Sequence, residues 1–155
     1  MEIYFAGSIR GGRDDATIYE GLIAFLKTFG RVLTEHVGDT QLTEQGNDGP
    51  NDIFIHDRDM AWLKNCDLVV AEVTMPSLGV GYELGWATAL AKPVLCLYRP
   101  TPGRPLSAMI AGSDRIVTQA YGTIDDAQDH IRDFVNTMHR HGTVLPLDGR
   151  IKRDE

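Results

Sequence analysis

The carboxylate of Glu83 ends a glycine-rich stretch that could support chemistry on a sugar. Residues 77–83 read SLGVGYE and follow an apolar, β-branched segment. We expect a turn there and then a helix over residues 81–91. Glu83 would then lie in the first helical turn, where the helix dipole favours an ionised carboxylate. Such a carboxylate can attack an anomeric carbon or stabilise an oxocarbenium ion. On this stretch alone, helix capping by a glutamate is the favoured interpretation.

A second glycine-rich stretch, GSIRGGR at residues 7–13, could bind an anion. Glycine lets the backbone approach a ligand closely, and a helix start presents unpaired N–H groups. Ser8 adds a hydroxyl, and Arg10 or Arg13 could fork onto phosphate oxygens. A turn with solvated arginines explains the same residues equally well. The stretch matches neither of the common glycine-rich nucleotide-binding patterns, which disfavours a dinucleotide or an ATPase.

Two more side chains could complete a site around Glu83. Asp59 falls near the buried edge of a helix expected over residues 52–65. Two carboxylates in different surroundings can share the roles of acid and nucleophile, although a solvated aspartate is the default alternative. Tyr4 lies inside the first expected strand, where its ring would ordinarily be core. Its hydroxyl could also reach the strand end and hold a carboxylate or the sugar.

The five histidines do not predict a metal site. His36 and His56 lack the spacing of metal ligands, so stacking on a base or simple surface placement is expected for both. His130, His139 and His141 lie on or near the end of the last expected helix, with no carboxylate spaced to join them. They are interpreted as solvated surface, and we expect no bound metal ion.

Alternating strands and helices predict one α/β domain that would position these residues. Strands are expected at residues 2–6, 31–35, 67–73, 93–98 and 115–118, and helices at 14–29 (capped by Gly30), 52–65, 81–91 and 124–141. This order implies a doubly wound, five-stranded parallel sheet with helices on both faces, of the Rossmann or flavodoxin-like type. Ligands bind such sheets at the carboxyl ends of the strands, where both glycine-rich stretches fall. The domain is expected to span residues 1–141, followed by a mobile tail at 142–155.

Composition narrows the classes of partner. The chain has 155 residues, of which 43% are hydrophobic and 24% charged, as in ordinary soluble domains. Its net charge of -7 disfavours binding of a nucleic acid polymer. No apolar run is long enough to span a bilayer, and no secretory signal is recognised. Cys66 and Cys96 are expected to be buried free thiols in a reducing compartment, so a cytoplasmic location is expected.

Taken together, these stretches resemble a known family. From about residue 2 to residue 138 the sequence is similar to the 2'-deoxynucleoside 5'-phosphate N-hydrolase branch of the nucleoside 2-deoxyribosyltransferase superfamily. The block PSLGVGYELG is specific to that branch. The matching segments are YFAGSIRGG (4–12), LTEH (33–36), DMAWL (59–63), VAEVT (70–74), PSLGVGYELG (76–85) and LSAMI (106–110). Met75 stands where Gln is expected and the loop at 41–52 has no counterpart, so the base preference stays open.

The resemblance implies that water cleaves the N-glycosidic bond of a 2'-deoxynucleoside 5'-monophosphate, without a metal or organic cofactor. The products would be a free base and 2-deoxyribose 5-phosphate. Glu83 would attack or stabilise the anomeric carbon, Asp59 would handle the proton, and Tyr4 would orient the catalytic carboxylate. A homodimer is implied, in which each subunit supplies Ser107 to the phosphate in the other. The implied substrate-binding residues are Gly7, Ser8, Ile9, Arg10, Gly11, Gly12, Arg13, Tyr19, His36, Ser77 and Gly79, with Ser107, Ala108 and Met109 from the neighbouring subunit.

Three other functions remain open on the sequence. A transferase would pass deoxyribose between bases on an unphosphorylated nucleoside, for which the phosphate-binding set would be unnecessary. A ribonucleotide N-hydrolase would differ only in how the pocket treats the 2'-hydroxyl. A non-catalytic nucleotide sensor on the same fold would have no need of Glu83 and Asp59.

Overall fold

The computed structural model of the chain describes residues 1–10, 12, 14–43 and 49–141, without the side chain of residue 141. The predictions for Gly11, for Arg13, for part of the 41–52 loop and for the tail at 142–155 therefore lie outside the described residues. Among the described helices, none is both long enough and apolar enough to cross a bilayer.

Five parallel strands form one sheet with the order β2-β1-β3-β4-β5. The strands are β1 Glu2–Ala6, β2 Arg31–Val32, β3 Leu68–Glu72, β4 Val94–Tyr98 and β5 Val117–Ala120. The helices are α1 Ala16–Leu26, α2 Asp52–Asn65, α3 Leu78–Ala89, α4 Ala108–Ala111 and α5 Ile124–His141, with a 3₁₀ turn at Glu35–Gly38. The predicted doubly wound fold is confirmed, and its strand order reverses between β1 and β3.

Two apolar layers cover the sheet. On one face, alternate strand residues such as Phe5 and Val70 pack against α1 and α5. On the other face, Tyr4, Val69 and Cys96 pack against α2 and α3. The central strand β3 is buried along its whole length, as its continuous apolar sequence predicts for a sheet covered on both sides.

The structure corrects the predicted elements between residues 14 and 35. Helix α1 ends at Leu26, so Gly30 does not cap it. A Cβ atom at Gly30 would lie 2.2 Å from the carbonyl oxygen of Met1, and glycine is therefore required there for close approach. Strand β2 has two residues instead of five because the Thr34 side chain takes over its pairing. The Thr34 hydroxyl accepts from the Phe5 N–H at 2.8 Å and donates to the Phe5 carbonyl at 2.6 Å.

Further boundaries differ from prediction: β3 is one residue shorter at each end, and β4 begins one residue later. Helix α3 begins at Leu78 and not at residue 81, because the Ser77 side chain accepts a hydrogen bond from the Val80 N–H and caps the helix. Glu83 consequently lies in the second turn, and the predicted first-turn dipole stabilisation is wrong. Strand β5 is displaced by two residues, and the short helix α4 was not predicted. The bounds of α2 and α5 were predicted correctly.

Candidate active site

Tyr4 and Glu83 meet across the interface between the sheet and helix α3. Tyr4 is 1% exposed on β1, and its hydroxyl donates a hydrogen bond of 2.7 Å to Oε1 of Glu83. Burial raises the pKa of Glu83 to about 7, the Tyr4 hydrogen bond opposes that rise, and the charge of Asp59 adds to it. Burial and the neighbouring Glu83 also raise the pKa of Tyr4 far above its ordinary value, so its hydroxyl remains a donor.

Glu83 and Asp59 line one cavity of about 640 Å³ at the carboxyl edge of the sheet. This volume suits a small organic ligand. Its walls come from the segment after β1, from helix α2, and from the turn that leads into α3. The lining residues are Gly7, Ile9, Arg10, Asp52, Ile55, His56, Asp59, Pro76, Ser77, Leu78, Gly79, Val80 and Glu83. The predicted carboxylates and part of the predicted anion site thus share one space.

One end of the cavity has the groups that an anion requires. Ser77 and Gly79 lie at the start of α3, where the N–H groups of a first helical turn point outward. Arg10 lies at the rim, with its guanidinium 2.7 Å from the carboxylate of Asp52. Both side chains of this ion pair are more than half exposed, so the pair itself contributes little to stability.

Three predicted binding residues are absent from the cavity lining. Ser8 is buried, and its backbone N–H donates to the Tyr19 hydroxyl at 3.3 Å. Tyr19 is also buried and supports the segment after β1 from below. Gly12 has φ 130°, a conformation that favours glycine, and a Cβ there would contact Met75 at 3.7 Å. Ser8, Tyr19 and Gly12 do not line the cavity in this structure.

His36 lies apart from the cavity, in the 3₁₀ turn after β2. Its ring is tilted against Trp62 with 5.9 Å between centroids, and Nε2 lies 3.4 Å from a guanidinium nitrogen of Arg58. Arg58 in turn donates to Oδ1 of Asp59, so it links His36 to that carboxylate. Direct stacking of His36 on a base is not supported by this placement.

Residues Ser107, Ala108 and Met109 lie beyond the cavity within the same chain. Ser107 and Met109 line a separate groove of about 580 Å³, whose wall also includes Ser77 and Leu78. Ser77 and Leu78 thus form a wall common to the cavity and the groove. Ala108 is the first residue of the adjacent helix α4. The groove carries the most exposed apolar side chains of the described chain, Leu78 at 96% and Met109 at 83%.

The sequence interpretation missed one face of helix α2. Asp52, Ile55, His56 and Asp59 all line the cavity, at spacings of three, four and seven residues that place them on a single helical face. Asp59 was predicted as a site residue, and stacking on a base was one of two expectations for His56. The helical spacing from Asp59 was the available signal for the other three.

A buried polar network behind the site was also not predicted. The fully buried Glu72 accepts a hydrogen bond of 3.0 Å from the Tyr121 hydroxyl and another from the Thr74 hydroxyl. Burial raises the pKa of Glu72. Arg99, at the end of β4, binds the Asp15 carboxylate at 2.5 Å. The network links the ends of β3, β4 and β5 to the start of α1.

The fold and the cavity together define a class: a flavodoxin-like α/β protein with a carboxylate site at the point where the strand order reverses. A family model described as nucleoside 2-deoxyribosyltransferase matches residues 3–114. The chain belongs to this family, and the resemblance predicted from its motifs is confirmed.

Similar proteins carry more specific names. A 5-hydroxymethyl-dUMP N-hydrolase of Mus musculus is 52% identical over 141 residues, which cover 90% of this chain and 78% of the relative. The protein of the same name from Danio rerio is 57% identical over 144 residues, covering 91% and 100%. The solved structure of the Clostridium botulinum CMP N-glycosidase BcmB matches with a TM-score of 0.60 at 18% identity, covering 85% of this chain and 99% of that one. At this identity the structural match supports the fold alone.

Proposed function

We propose that this chain hydrolyses the N-glycosidic bond of 2'-deoxynucleoside 5'-monophosphates to a free base and 2-deoxyribose 5-phosphate. The observation that carries the proposal is that Glu83, held by the buried Tyr4 hydroxyl, lines the same cavity as Ser77 and the start of α3. A carboxylate and an anion site in one space suit a phosphorylated sugar. The names of the relatives support the same reaction class.

In the proposed reaction the bond from C1' to the base nitrogen breaks, and its electron pair leaves with the base. Glu83 stabilises the positive charge that develops at C1' or attacks that carbon, and Tyr4 holds the carboxylate in place. Asp59 handles the proton that the departing base requires. The oxygen of water ends on C1'. Ser77, Arg10 and the backbone after β1 bind the 5'-phosphate.

We further propose that the active form is a homodimer, in which Ser107 of each subunit reaches the phosphate bound by the other. Two observations support this arrangement. Ser107 lies in a groove that shares the Ser77–Leu78 wall with the cavity, and Leu78 and Met109 expose large apolar surfaces there.

We also propose a cytoplasmic location. The two buried free thiols, Cys66 and Cys96, support a reducing compartment.

The direct test is incubation with each deoxynucleoside and ribonucleoside 5'-monophosphate, with and without a second free base. Release of base and 2-deoxyribose 5-phosphate is the expected result, and 5-hydroxymethyl-dUMP is the first substrate to try. Glu83→Gln is the negative control. Transfer of deoxyribose to the added base would identify a transferase, and binding without turnover would identify a sensor.

A subunit-mixing experiment tests the shared site. In a mixed dimer of Ser107→Ala and Glu83→Gln chains, one site carries both defects and the other carries neither. Random exchange should therefore restore about a quarter of the sites. A self-contained site predicts no recovery, because every site would keep one defect. A monomer in solution would also contradict the proposal.

A further inference from the structure

Arg58 and Asp59 form an ion pair between consecutive residues of one helix. Arg58 Nε donates a hydrogen bond of 2.8 Å to Oδ1 of Asp59, and the two side chains are only 16% and 17% exposed. Consecutive helical residues point in different directions, about a quarter-turn apart, and do not ordinarily face each other. The Arg58 side chain must therefore bend around the helix to reach Asp59, and this conformation requires further contacts to stabilise it.

Aromatic rings one turn away on α2 hold the guanidinium. Its central carbon lies 4.7 Å above the Trp62 ring and 5.9 Å above the Phe54 ring, at positions i+4 and i−4. Such cation–π contacts are worth about 0.5–2 kcal/mol each, depending on exposure. The guanidinium also contacts Nε2 of His36 at 3.4 Å, and His36 packs against Trp62. The orientation of Arg58 is thus fixed from several sides.

Arg58 and Asp59 lie differently with respect to the cavity. Asp59 lines the cavity, whereas Arg58 does not. The bond from Arg58 to Oδ1 fixes the direction of the Asp59 carboxylate. The positive charge also offsets one of the two carboxylates, Asp59 and Glu83, that face this single space.

We propose that Arg58 is a positioning residue, which holds the Asp59 carboxylate in the orientation that proton handling requires. This inference rests on the proposed function. Because Arg58 does not line the cavity and acts through Asp59, its loss should lower kcat and leave KM nearly unchanged.

The test compares Arg58→Met with Arg58→Lys in steady-state base release. Methionine keeps an apolar stem on the Trp62 ring and removes the charge, so the helix should remain folded. We expect kcat to fall about 10- to 100-fold with KM within threefold, as expected when an interaction specific to the transition state is lost. Lysine keeps a cation that can still donate to Oδ1. The decrease in log kcat should therefore be at least a third smaller in Arg58→Lys than in Arg58→Met.

Arg132→Met is a matched control on the opposite face of the sheet. There the guanidinium of Arg132 lies 5.5 Å above the Phe25 ring and pairs with the Asp129 carboxylate. Arg132→Met therefore removes the same kinds of contact as Arg58→Met, but at a site away from the cavity. Its activity should equal that of the wild type, and thermal unfolding should confirm that all variants are folded.

Wild-type turnover is measured first, and its absence would contradict the proposed function itself. With an active wild type, three results would overturn the role of Arg58. They are a kcat for Arg58→Met within threefold of the wild type, a rise in KM alone, or equal losses in the methionine and lysine variants. If Arg58→Met does not fold, the limits on kcat and KM apply to Trp62→Leu, which loosens the guanidinium without removing either charge.

Discussion

The hydrogen bond from Tyr4 should set the pH at which the enzyme becomes active. Burial raises the pKa of Glu83 to about 7, and the Tyr4 hydroxyl opposes this rise by stabilising the ionised carboxylate. If ionised Glu83 is the active form, kcat/KM should rise about tenfold per pH unit below pH 7 and level off above it. Tyr4→Phe removes the hydroxyl and leaves the ring in place, so the pKa of Glu83 should rise further.

The size of the effect follows from the strength of that bond. A hydrogen bond to a charged group contributes about 1.5–3 kcal/mol, and a change of one in pKa corresponds to about 1.36 kcal/mol. The ionised fraction of Glu83, and with it kcat/KM, should therefore fall about 10- to 100-fold at pH 6 in Tyr4→Phe. Activity should recover progressively as the pH is raised towards 9.

The assay is base release from a deoxynucleoside monophosphate between pH 5.5 and 9.5, for the wild type and Tyr4→Phe. The 5'-phosphate itself titrates near pH 6, but it does so identically for both proteins and cancels in their ratio. A ratio that stays constant across the whole pH range would refute the reasoning. Tyr4 would then act on geometry alone and not on the ionisation of Glu83.

Three further variants test the site and its support. Glu83→Gln should lower turnover by about a hundredfold or more while binding is retained. Because burial raises the folded-state pKa of Glu83 from 4.5 to about 7, the wild type should lose stability as the pH rises through this window. The free energy of unfolding, measured in urea at pH 5 and pH 8, should therefore fall less between the two pH values in Glu83→Gln than in the wild type. Arg10→Ala should raise KM for the monophosphate about 10-fold or more, from about 1.5–3 kcal/mol for a charged contact, with little effect on any action on the nucleoside. Equal losses on both substrates would assign Arg10 a structural role. Tyr121→Phe should lower the unfolding free energy by about 0.5–1.5 kcal/mol, since it removes one of the two hydroxyl hydrogen bonds that Oε1 of the buried Glu72 accepts. An unchanged urea midpoint would contradict that expectation.

The parts of the fold that could be predicted are those fixed by local signals. Helices α2 and α5 were predicted over their full lengths because their sequences follow helical spacing, and the Asn51 side chain caps α2 in the structure. The parts that failed depend on distant groups. Strand β2 is cut short by a side chain that bonds a residue 29 positions away. No local pattern at residues 31–35 contains that information.

Helix α3 shows how packing overrides local preference. Its first residues include Gly79 and Gly81, which predict a turn because glycine destabilises a helix. The burial of Val80, Leu84 and Ala87 at spacings of four and seven residues outweighs this preference and extends the helix towards Ser77. The extension carries Glu83 from the first turn to the second. The ionisation of the Glu83 carboxylate is therefore governed by burial and by Tyr4, and not by the helix dipole.

The two carboxylates of the cavity differ in the partner that each receives. Glu83 is held by a neutral donor, the Tyr4 hydroxyl, and burial keeps its pKa near neutrality. Asp59 is held by a guanidinium, which carries its charge at every physiological pH. Two carboxylates in one small space would otherwise compete for the same proton. The two carboxylates therefore have unlike partners, and neither Tyr4 nor Arg58 lines the cavity.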